Sequence, residues 1–345
     1  MNTQLLFWIA FIVIFGLAFT LDITIVQHKH KAMSVKSALK WTAIWISIAA
    51  MFGLSLFFFY PQNPASSLAT NHIMGIKFFA GYLTEYMLSI DNLFVFIMIF
   101  SVMHVPDMIQ PKLLKLGVLL SIVLRIVCIV AGMSLVNEFQ WLIYLFGGLL
   151  VWMAIKMLRE KEDDNVDVHN NLFVKIARKL FNVDENINAD TFFTRVDGKL
   201  MITSFMLVFL IIGSSNVLFA MDSIPAIIGV IQEGAKNVLT LDEQNYLAIT
   251  SNVFACMGLV SLFFALKGIM NMFRYLKSGV CIILFFIGAK MLFSSFVPVE
   301  HFFSAHAWVS LAVILTTLTL SILLSVGKDY AINRSRVSQS DKDDK

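Results

Sequence analysis

Apolar stretches long enough to cross a lipid bilayer recur along this 345-residue chain, and they limit its fold more than any other feature does. A helix needs about 20 apolar residues to span the hydrocarbon core, and in lipid the backbone must form its hydrogen bonds internally. We therefore predict an all-α, polytopic membrane helix bundle with about nine transmembrane helices. The predicted spans are 5–26, 38–60, 73–102, 113–136, 139–158, 200–231, 246–266, 276–297 and 305–326.

The composition agrees with this prediction and argues against several function classes. Apolar residues make up 58% of the chain and charged residues 14%, against about 45–50% and about 25% in soluble proteins. The sequence contains no zinc-ligand spacing, phosphate-binding loop, nucleophile elbow or basic arm, so we expect no soluble enzyme, no nucleic-acid partner and no permanently bound cofactor. Cys128, Cys256 and Cys281 lie in apolar runs, and we predict that they are reduced, buried and inert.

Lysine and arginine are concentrated in alternate loops, which predicts the orientation of the chain. The loops after the first, third and seventh predicted spans, the connection 159–199 and the tail after residue 327 are rich in these residues. The intervening loops 61–76 and 298–305 contain none. We therefore predict that the N-terminus is outside and the C-terminus is in the cytoplasm.

Spans and loops together predict six segments. The connection between the fifth and sixth spans is the largest soluble piece, in which 170–181 has the pattern of a basic amphipathic helix and 192–200 that of a short hairpin. The segments are two N-terminal transmembrane helices at 1–60, a first repeat at 73–158, a cytoplasmic loop with its amphipathic helix at 159–199, a second repeat at 200–297, a last transmembrane helix at 305–326 and a disordered cytoplasmic tail at 327–345.

Matching motifs indicate the internal repeat. LSIDN at 88–92 matches FAMDS at 219–223, and the segments 145–158 and 284–293 share the letters K-M-L. Because each unit contains three spans, an odd number, the second unit must cross the membrane in the opposite sense. Inverted repeats around a site near the bilayer midplane are typical of secondary transporters.

The repeat places an acid at an equivalent position in each half, Asp91 in the first and Asp222 in the second. Glu85 precedes Asp91 by six residues, and Asn216 holds the corresponding position before Asp222. A charged side chain in hydrocarbon is costly and usually marks an ion pathway, although these acids could also be hydrogen-bonded packing residues. Six residues correspond to about 120° around a regular helix, so Glu85 and Asp91 share a face only if the helix is locally unwound.

Neutral oxygens accompany the acids in both halves. Ser89 and Asn92 follow Glu85 by one and two turns on its face of the helix. In the second half Ser215 offers a hydroxyl, and Pro225 removes a backbone donor and so frees a carbonyl oxygen of the kind that hard cations bind.

Arg125 lies in the middle of the fourth predicted span. We predict that it pairs with Glu85 or Asp91 and thereby gates the site or balances its charge; a purely structural salt bridge is the alternative. Its counterpart in the second half is Val260, in the half where Asn216 replaces the acid. The second half therefore lacks both the acid and the arginine, which favours an ion pair between an acid and Arg125 in the first half.

These motifs resemble the TerC family of bacterial membrane proteins and, within it, the Alx-like branch. The similar segments are GYLTEYMLSIDNLFVF at 81–96, SNVLFAMDSIPAI at 215–227 and TSNVFACMGL at 250–259, and the resemblance extends over nearly the whole chain. It implies a protein of the bacterial inner (plasma) membrane that exports metal ions, chiefly Mn²⁺, with associations to tellurium resistance and alkaline response. The site acids it implies are Glu85, Asp91 and Asp222.

The chain departs from the pattern of the family it resembles. Gly213 and Asn216 stand where the family has acids, and Val260 stands where the family tends to have an arginine. An octahedral, oxygen-rich Mn²⁺ site can be completed by amide, hydroxyl, carbonyl and water oxygens. The departures therefore leave open whether transport is retained, retuned or lost.

Two hypotheses of different class follow. In the first, the chain exports a divalent metal ion, chiefly Mn²⁺, by alternating movement of its repeats in the bilayer, with proton antiport as one means of coupling. In the second, it is a non-transporting membrane partner that scaffolds or assists other membrane proteins around a degenerate metal site. A membrane-embedded enzyme is disfavoured, because no acid, base and nucleophile converge. The predicted metal-site residues are Glu85, Asp91, Asp222, Asn216, Ser215 and Asn92, with Arg125 in a gating or charge-pairing role.

Overall fold

The computed structural model describes residues 3–27, 34–61, 69–159, 175, 179, 182–184, 190–196, 199–232, 238–269, 276–293, 296, 302 and 306–343. Within these residues the fold comprises ten long α-helices and three short β-strands. The helices are α1 (Thr3–Gln27), α2 (Val35–Phe59), α3 (Thr70–Val102), α4 (Gln110–Glu138), α5 (Leu142–Arg159), α6 (Ser204–Gln232), α7 (Leu241–Cys256), α8 (Leu259–Ile269), α9 (Leu276–Leu292) and α10 (Ala307–Asp343). The strands are β1 (Val183–Asp184), β2 (Phe193–Val196) and β3 (Lys199–Thr203).

The length and apolarity of the helices make this a membrane fold. Six described helices, α2 to α6 and α10, contain apolar stretches long enough to cross a bilayer, and α7 and α8 together make a seventh, bent span. The shorter apolar helices Gln4–Leu17 in α1 and Ser278–Leu292 in α9 coincide with the two remaining predicted spans. Large apolar side chains such as Met51, Phe58 and Leu218 are exposed, as side chains facing lipid are. The predicted polytopic membrane helix bundle is confirmed.

A small sheet in the connection between α5 and α6 is the exception to the all-α prediction. β2 and β3 pair antiparallel, which confirms the hairpin predicted at 192–200. β1 joins β3 in parallel and gives the strand order β1-β3-β2. The amphipathic helix predicted at 170–181 lies outside the described residues except for Lys175 and Lys179.

The seventh predicted span, 246–266, is not one straight helix. α7 ends at Cys256, α8 begins at Leu259, and the two helices are bent by 41° at the break. Gly258 has a φ of +83°, a conformation that residues with a Cβ rarely adopt. A Cβ at this position would also lie 2.6–2.9 Å from atoms of Trp45 in α2. Backbone conformation and packing together therefore fix the break.

The packing partners of the helices match between the two predicted repeats. α4 packs against α6 as α7 packs against α3, and α5 packs against α9. Gly147 of α5 and Gly288 of α9 allow a close approach, because a Cβ added to either would lie 2.8–3.0 Å from the carbonyl oxygen of the other. This arrangement is expected of inverted repeats at 73–158 and 200–297, which stay a prediction.

Matched hydrogen bonds occur at the starts of α4 and α7. Gln110 Nε2 donates to the carbonyl oxygen of Val105 at 2.8 Å, and Gln244 Nε2 donates to that of Leu239 at 3.1 Å. Each glutamine thus closes a loop by bonding to the residue five positions before it. The repeat alignment through Arg125 brings the two glutamines to within one residue of equivalence.

Polar contacts tie each of these loops to another helix, and we name them for the predicted orientation. In the inner latch, Lys267 Nζ donates to Asp107 Oδ1 at 2.7 Å and to Gln110 Oε1 at 2.9 Å. In the outer latch, the Tyr60 hydroxyl donates to Glu243 Oε1 at 2.8 Å. Burial, followed by this hydrogen bond, raises the pKa of Tyr60, so its hydroxyl stays protonated as a donor.

The last helix is longer than the span predicted at 305–326. α10 continues to Asp343, whereas the composition of 327–345 predicts a disordered tail. The segment from Gly327 to Asp343 contains no proline that would end a helix. The helical conformation therefore continues from the apolar part into the polar part.

Candidate functional site

Two oppositely charged side chains meet in the middle of the bundle. Glu85 lies 15 residues after the first residue of α3, and Arg125 lies 15 residues after that of α4, about 22 Å along each helix at about 1.5 Å per residue. Their side chains are 1% and 2% exposed, respectively. Arg125 Nη1 forms an ion pair with Glu85 Oε1, which is one of the two pairings predicted for this arginine.

Both carboxylate oxygens of Glu85 accept hydrogen bonds. Ser89 Oγ, one turn further along α3, donates to Oε1 at 3.0 Å. Asn252 Nδ2, from α7, donates to Oε2 at 2.8 Å. Hydrogen bonds to an ionised group are stronger than those between neutral groups. The carboxylate is therefore well satisfied despite its burial.

Arg125 contacts α3 and α7 at the same time. Its Nη1 atom donates to Ser89 Oγ at 3.4 Å and to Cys256 Sγ at 3.3 Å. Turning the side-chain amide of Asn92 lets the amide oxygen accept from Nη2 at 3.1 Å. Nε has no hydrogen-bond partner among the described residues. Because Cys256 is the last residue of α7, the helix dipole also favours a cation here.

Four side chains close a ring of contacts that we call the charge ring: Glu85, Arg125, Cys256 and Asn252. Cys256 Sγ donates to Asn252 Oδ1 at 3.8 Å, and Asn252 leads back to Glu85. The ring joins α3 and α4 to the end of α7, just before the break at Gly258. With the thiol protonated it holds one negative and one positive charge, so it is neutral overall.

The paired acids of the two repeats lie in regular helices. α3 runs without interruption through Asp91, and α6 runs through Asp222. The predicted separation of Glu85 and Asp91 by about 120° therefore stands, because the helix between them is not unwound. The side chains of Asp91 and Asp222 lie outside the described part of the structure, and their place in a metal site stays a prediction.

Asn216 and Ser215 make contacts of their own, separate from the charge ring. Asn216 Nδ2 donates to the carbonyl oxygen of Gly117 in α4 at 2.8 Å, and Ser215 Oγ donates to Ile211 within α6 at 3.0 Å. Gly117 lies eight residues from Arg125, about 12 Å along the helix. The structure thus brings Asn92 to the ion pair but places Asn216 two turns away.

Three buried polar residues are absent from the predicted site. Asn252 and Cys256 complete the charge ring, and Lys77 Nζ donates to the carbonyl oxygen of Val230 at 2.8 Å near the end of α6. Lys77 is 2% exposed and Asn252 1% exposed. Lys77 and Asn252 could have been identified as polar residues inside apolar spans, because such residues usually face the interior of a bundle.

The described side chains do not form a ready-made metal site. No group of three or more His, Cys, Asp or Glu among them is placed to hold a metal ion. The charge ring holds one carboxylate, one thiol and one amide around an internal cation. In this ring the guanidinium of Arg125 occupies the position next to the Glu85 carboxylate.

An apolar bundle of spanning helices with a neutralised ion pair at mid-depth, beside a broken helix, defines a multi-pass integral membrane protein with a polar centre. The chain belongs to the TerC family of integral membrane proteins, whose family model matches residues 70–331. The match begins at the first residue of α3 and includes both halves of the predicted repeat, and so the resemblance drawn from the motifs is confirmed.

Curated relatives cover almost the full length of the chain. An uncharacterised membrane protein of Myxococcus xanthus is 35% identical over 93% of this chain and 92% of its own. Two proteins named as candidate membrane-bound redox modulators, Alx, are also similar. That of Photorhabdus laumondii is 36% identical over 84% of this chain and 87% of its own, and that of Escherichia coli K12 is 32% identical over 96% and 97%. No solved structure matches the chain.

Proposed function

We propose that this protein exports a divalent metal ion, chiefly Mn²⁺, from the cytoplasm across the bacterial inner membrane. The observation that carries the proposal is the buried pair of Glu85 and Arg125 next to the break between α7 and α8. Ionisable residues at mid-depth and discontinuous helices are recurring features of transporter sites. The proposal assigns no catalytic step to the chain.

The geometry supports a mechanism in which Arg125 serves as an internal counter-ion. Its guanidinium contacts one carboxylate oxygen of Glu85, and Ser89 and Asn252 donate hydrogen bonds to the same carboxylate. An incoming divalent cation displaces the guanidinium and binds the freed carboxylate. When no metal is bound, the guanidinium of Arg125 neutralises the Glu85 carboxylate, so no buried charge is left without a partner.

The remaining predicted ligands complete the proposed pathway. Asp91 and Asp222 take up the ion from the two repeats, and Ser215 and Asn216 contribute oxygens on the α6 side. The two latches supply contacts that release one end of the bundle at a time, and a proton taken up by a midplane acid would couple export to proton entry.

Mn²⁺ accumulation in cells that lack their own exporters tests the proposal. The native chain is compared with Glu85→Gln and with the double variant Asp91→Asn/Asp222→Asn. The matched control is Asp242→Asn, the same chemical change at an exposed acid at the start of α7. We expect lower accumulation with the native chain and the control, and no effect of the other two variants at equal membrane abundance.

Two outcomes would contradict the proposal. The first is equal Mn²⁺ accumulation with the native chain and with an empty vector, when the protein is present in the membrane. The second is full export by both acid variants, because the paired intramembrane acids would then be irrelevant to transport.

A second candidate function is a non-transporting membrane partner. Both oxygens of Glu85 are already satisfied, and Asn216 contributes its amide to packing against Gly117, as expected of a degenerate site. The relatives named as candidate redox modulators are compatible with such a role. Co-purification of a stable membrane-protein partner, with no Mn²⁺ binding by the purified chain, would favour this function over export.

A further inference from the structure

The sulfur of Cys256 has polar neighbours, although its sequence context predicts an inert thiol. The residue is 1% exposed. Its Sγ atom lies 3.3 Å from Nη1 of Arg125 and 3.8 Å from Oδ1 of Asn252. The thiol therefore belongs to the charge ring, in the centre of the bundle.

One position in the ring is surrounded by three different donor types. Nη1 of Arg125 contacts the Glu85 carboxylate, the Ser89 hydroxyl at 3.4 Å and the Cys256 sulfur at 3.3 Å. Asn252 contacts both Glu85 and Cys256, so its side chain lies beside two of these three groups. A cation that replaced the guanidinium would meet oxygen and sulfur together.

The guanidinium is incompletely held in this position. Arg125 is 2% exposed, yet its Nε atom has no hydrogen-bond partner among the described residues. An unpaired buried donor costs about 1–3 kcal/mol. The arginine therefore lacks one of the hydrogen bonds that would fix it next to Glu85, which makes its displacement easier.

We infer that Cys256 is a metal ligand that sets the ion specificity of this site, binding a divalent cation together with the Glu85 carboxylate after the Arg125 guanidinium has been displaced. The thiolate is expected to raise the affinity of the site for Zn²⁺ and Cd²⁺ relative to the harder ions Mg²⁺ and Mn²⁺. The inference rests on the proposed export of a divalent ion and adds Zn²⁺ and Cd²⁺ to the ions that the site would bind.

The proton and charge changes on binding can be followed atom by atom. The thiol gives its proton to water, because the thiolate is the form that binds metals, and the two positive charges of the ion cancel the thiolate and the Glu85 carboxylate. In this proposal the displaced guanidinium keeps its contact to Asn92 and pairs with Asp91, the alternative partner that the sequence predicts for Arg125. A zinc–sulfur bond is about 2.3 Å long, so a Zn²⁺ ion at the position of Nη1, now 3.3 Å from Sγ, requires the ring to contract by about 1 Å.

Sulfur in the donor set has a direct consequence for selectivity. Thiolates prefer soft and borderline ions, whereas Mg²⁺, Ca²⁺ and Mn²⁺ prefer oxygen ligands. A site built from Glu85, Ser89 and Asn252 alone would favour hard ions. Cys256 therefore shifts the preference away from the abundant Mg²⁺.

Cadmium binding to the purified full-length protein in detergent tests the inference. A cadmium–thiolate bond gives an ultraviolet charge-transfer band, which is recorded during Cd²⁺ titration of the native protein, Cys256→Ser and Cys281→Ser. Cys281 is the matched control, because it is equally buried at 1% exposure but lies in α9. We expect the band in the native protein and in Cys281→Ser, and we expect Cys256→Ser to lose it together with about tenfold or more in Cd²⁺ affinity relative to Mn²⁺.

The outcomes separate this inference from the proposed function. An unchanged band in Cys256→Ser, or no band in the native protein, overturns the inference, and Mn²⁺ export measured in cells then decides the transport proposal independently. A thiolate band without Mn²⁺ export supports the ligand role and overturns the proposed export of Mn²⁺. Cys256→Ala is titrated alongside, so that misfolding of the serine variant cannot account for loss of the band.

Discussion

The side-chain amide of Asn216 donates to the carbonyl oxygen of Gly117, and the predicted repeat gives this contact between α6 and α4 a counterpart between α7 and α3. The repeat alignments pair Asn216 with Glu85 and Gly117 with Asn252. The counterpart is the hydrogen bond from Asn252 to Glu85, and both are 2.8 Å long. Each contact thus joins a helix of one predicted repeat to a helix of the other, one through a charged side chain and the other through neutral groups.

Breaking the central ion pair on one side only is expected to destabilise the protein. Glu85→Gln leaves Arg125 buried without its acid, and Arg125→Met leaves Glu85 without its cation, each at a cost of about 3–5 kcal/mol. The double variant leaves no charge unpaired and is expected to be more stable than either single variant. Thermal unfolding of the purified proteins in detergent measures all three.

An exposed pair provides the control for that comparison. Lys112 Nζ and Asp190 Oδ2 are 3.2 Å apart with side chains 51% and 66% exposed, so breaking this pair should change stability by less than about 1 kcal/mol. Additive losses in the Glu85/Arg125 double variant would show that the two side chains do not act as a pair.

Restoring charge in the second half is expected to require both partners. Asn216→Asp places a buried carboxylate against the carbonyl oxygen of Gly117 and removes the donor, so membrane abundance should fall sharply. Adding Val260→Arg at the position equivalent to Arg125 should recover part of that loss. Immunodetection of the membrane fraction measures abundance, and Asn216→Leu shows the effect of losing the hydrogen bond alone, about 1–3 kcal/mol.

The outcome of this charge-restoring pair also bears on the repeat. Rescue by Val260→Arg would mean that the two halves share side-chain geometry. A double variant as scarce as Asn216→Asp would show that the α6 side of the bundle cannot place an arginine next to position 216, in contradiction to the predicted repeat.

Gly258→Ala should destabilise the break between α7 and α8. Its positive φ costs a residue with a Cβ about 1–3 kcal/mol, and the added carbon would also collide with Trp45. Gly148→Ala is the control, since a Cβ there meets nothing within 4 Å. Melting temperatures of the purified variants should fall for position 258 only, and Trp45→Ala combined with Gly258→Ala should relieve the collision but leave the backbone strain.

The outer latch should contribute a pH-dependent part of the stability. The pKa of Tyr60 is raised in the folded state, so the stability it contributes is complete below the unfolded value of about 10 and is lost as the pH rises above it. Tyr60→Phe should cost about 1 kcal/mol, equally at pH 6 and pH 9, and the difference should shrink above pH 10. Unfolding curves at these pH values measure it; a difference that already changes between pH 6 and 9 would contradict the assignment.

The membrane fold was predictable because a bilayer imposes length and apolarity on each helix. The pairing of Arg125 was predictable only as a choice between Glu85 and Asp91, since spacing along a helix gives relative angles but not neighbours on other helices. The structure selects Glu85 because α4 and α7 meet α3 at that depth.

The features missed by the sequence depend on contacts between distant segments. At the break in the seventh span Gly258 packs against Trp45, which lies more than 200 residues earlier in the chain. The polar surroundings of Cys256 come from Arg125 in α4. Neither contact can be recognised from the apolar pattern of 246–266, which predicts one regular span.

The pair of Glu85 and Arg125 also bears on how the chain enters the membrane during synthesis. It joins two consecutive helices, α3 and α4, separated only by residues 103–109. An arginine or acid at the centre of a helix inserted alone costs about 2.5–3.5 kcal/mol, so we expect α3 and α4 to leave the translocon together as a hairpin with these two charges already matched. Asn252 and Cys256 are made more than a hundred residues later, and the nascent hairpin therefore waits in lipid, neutral but only partly hydrogen-bonded, until α7 arrives.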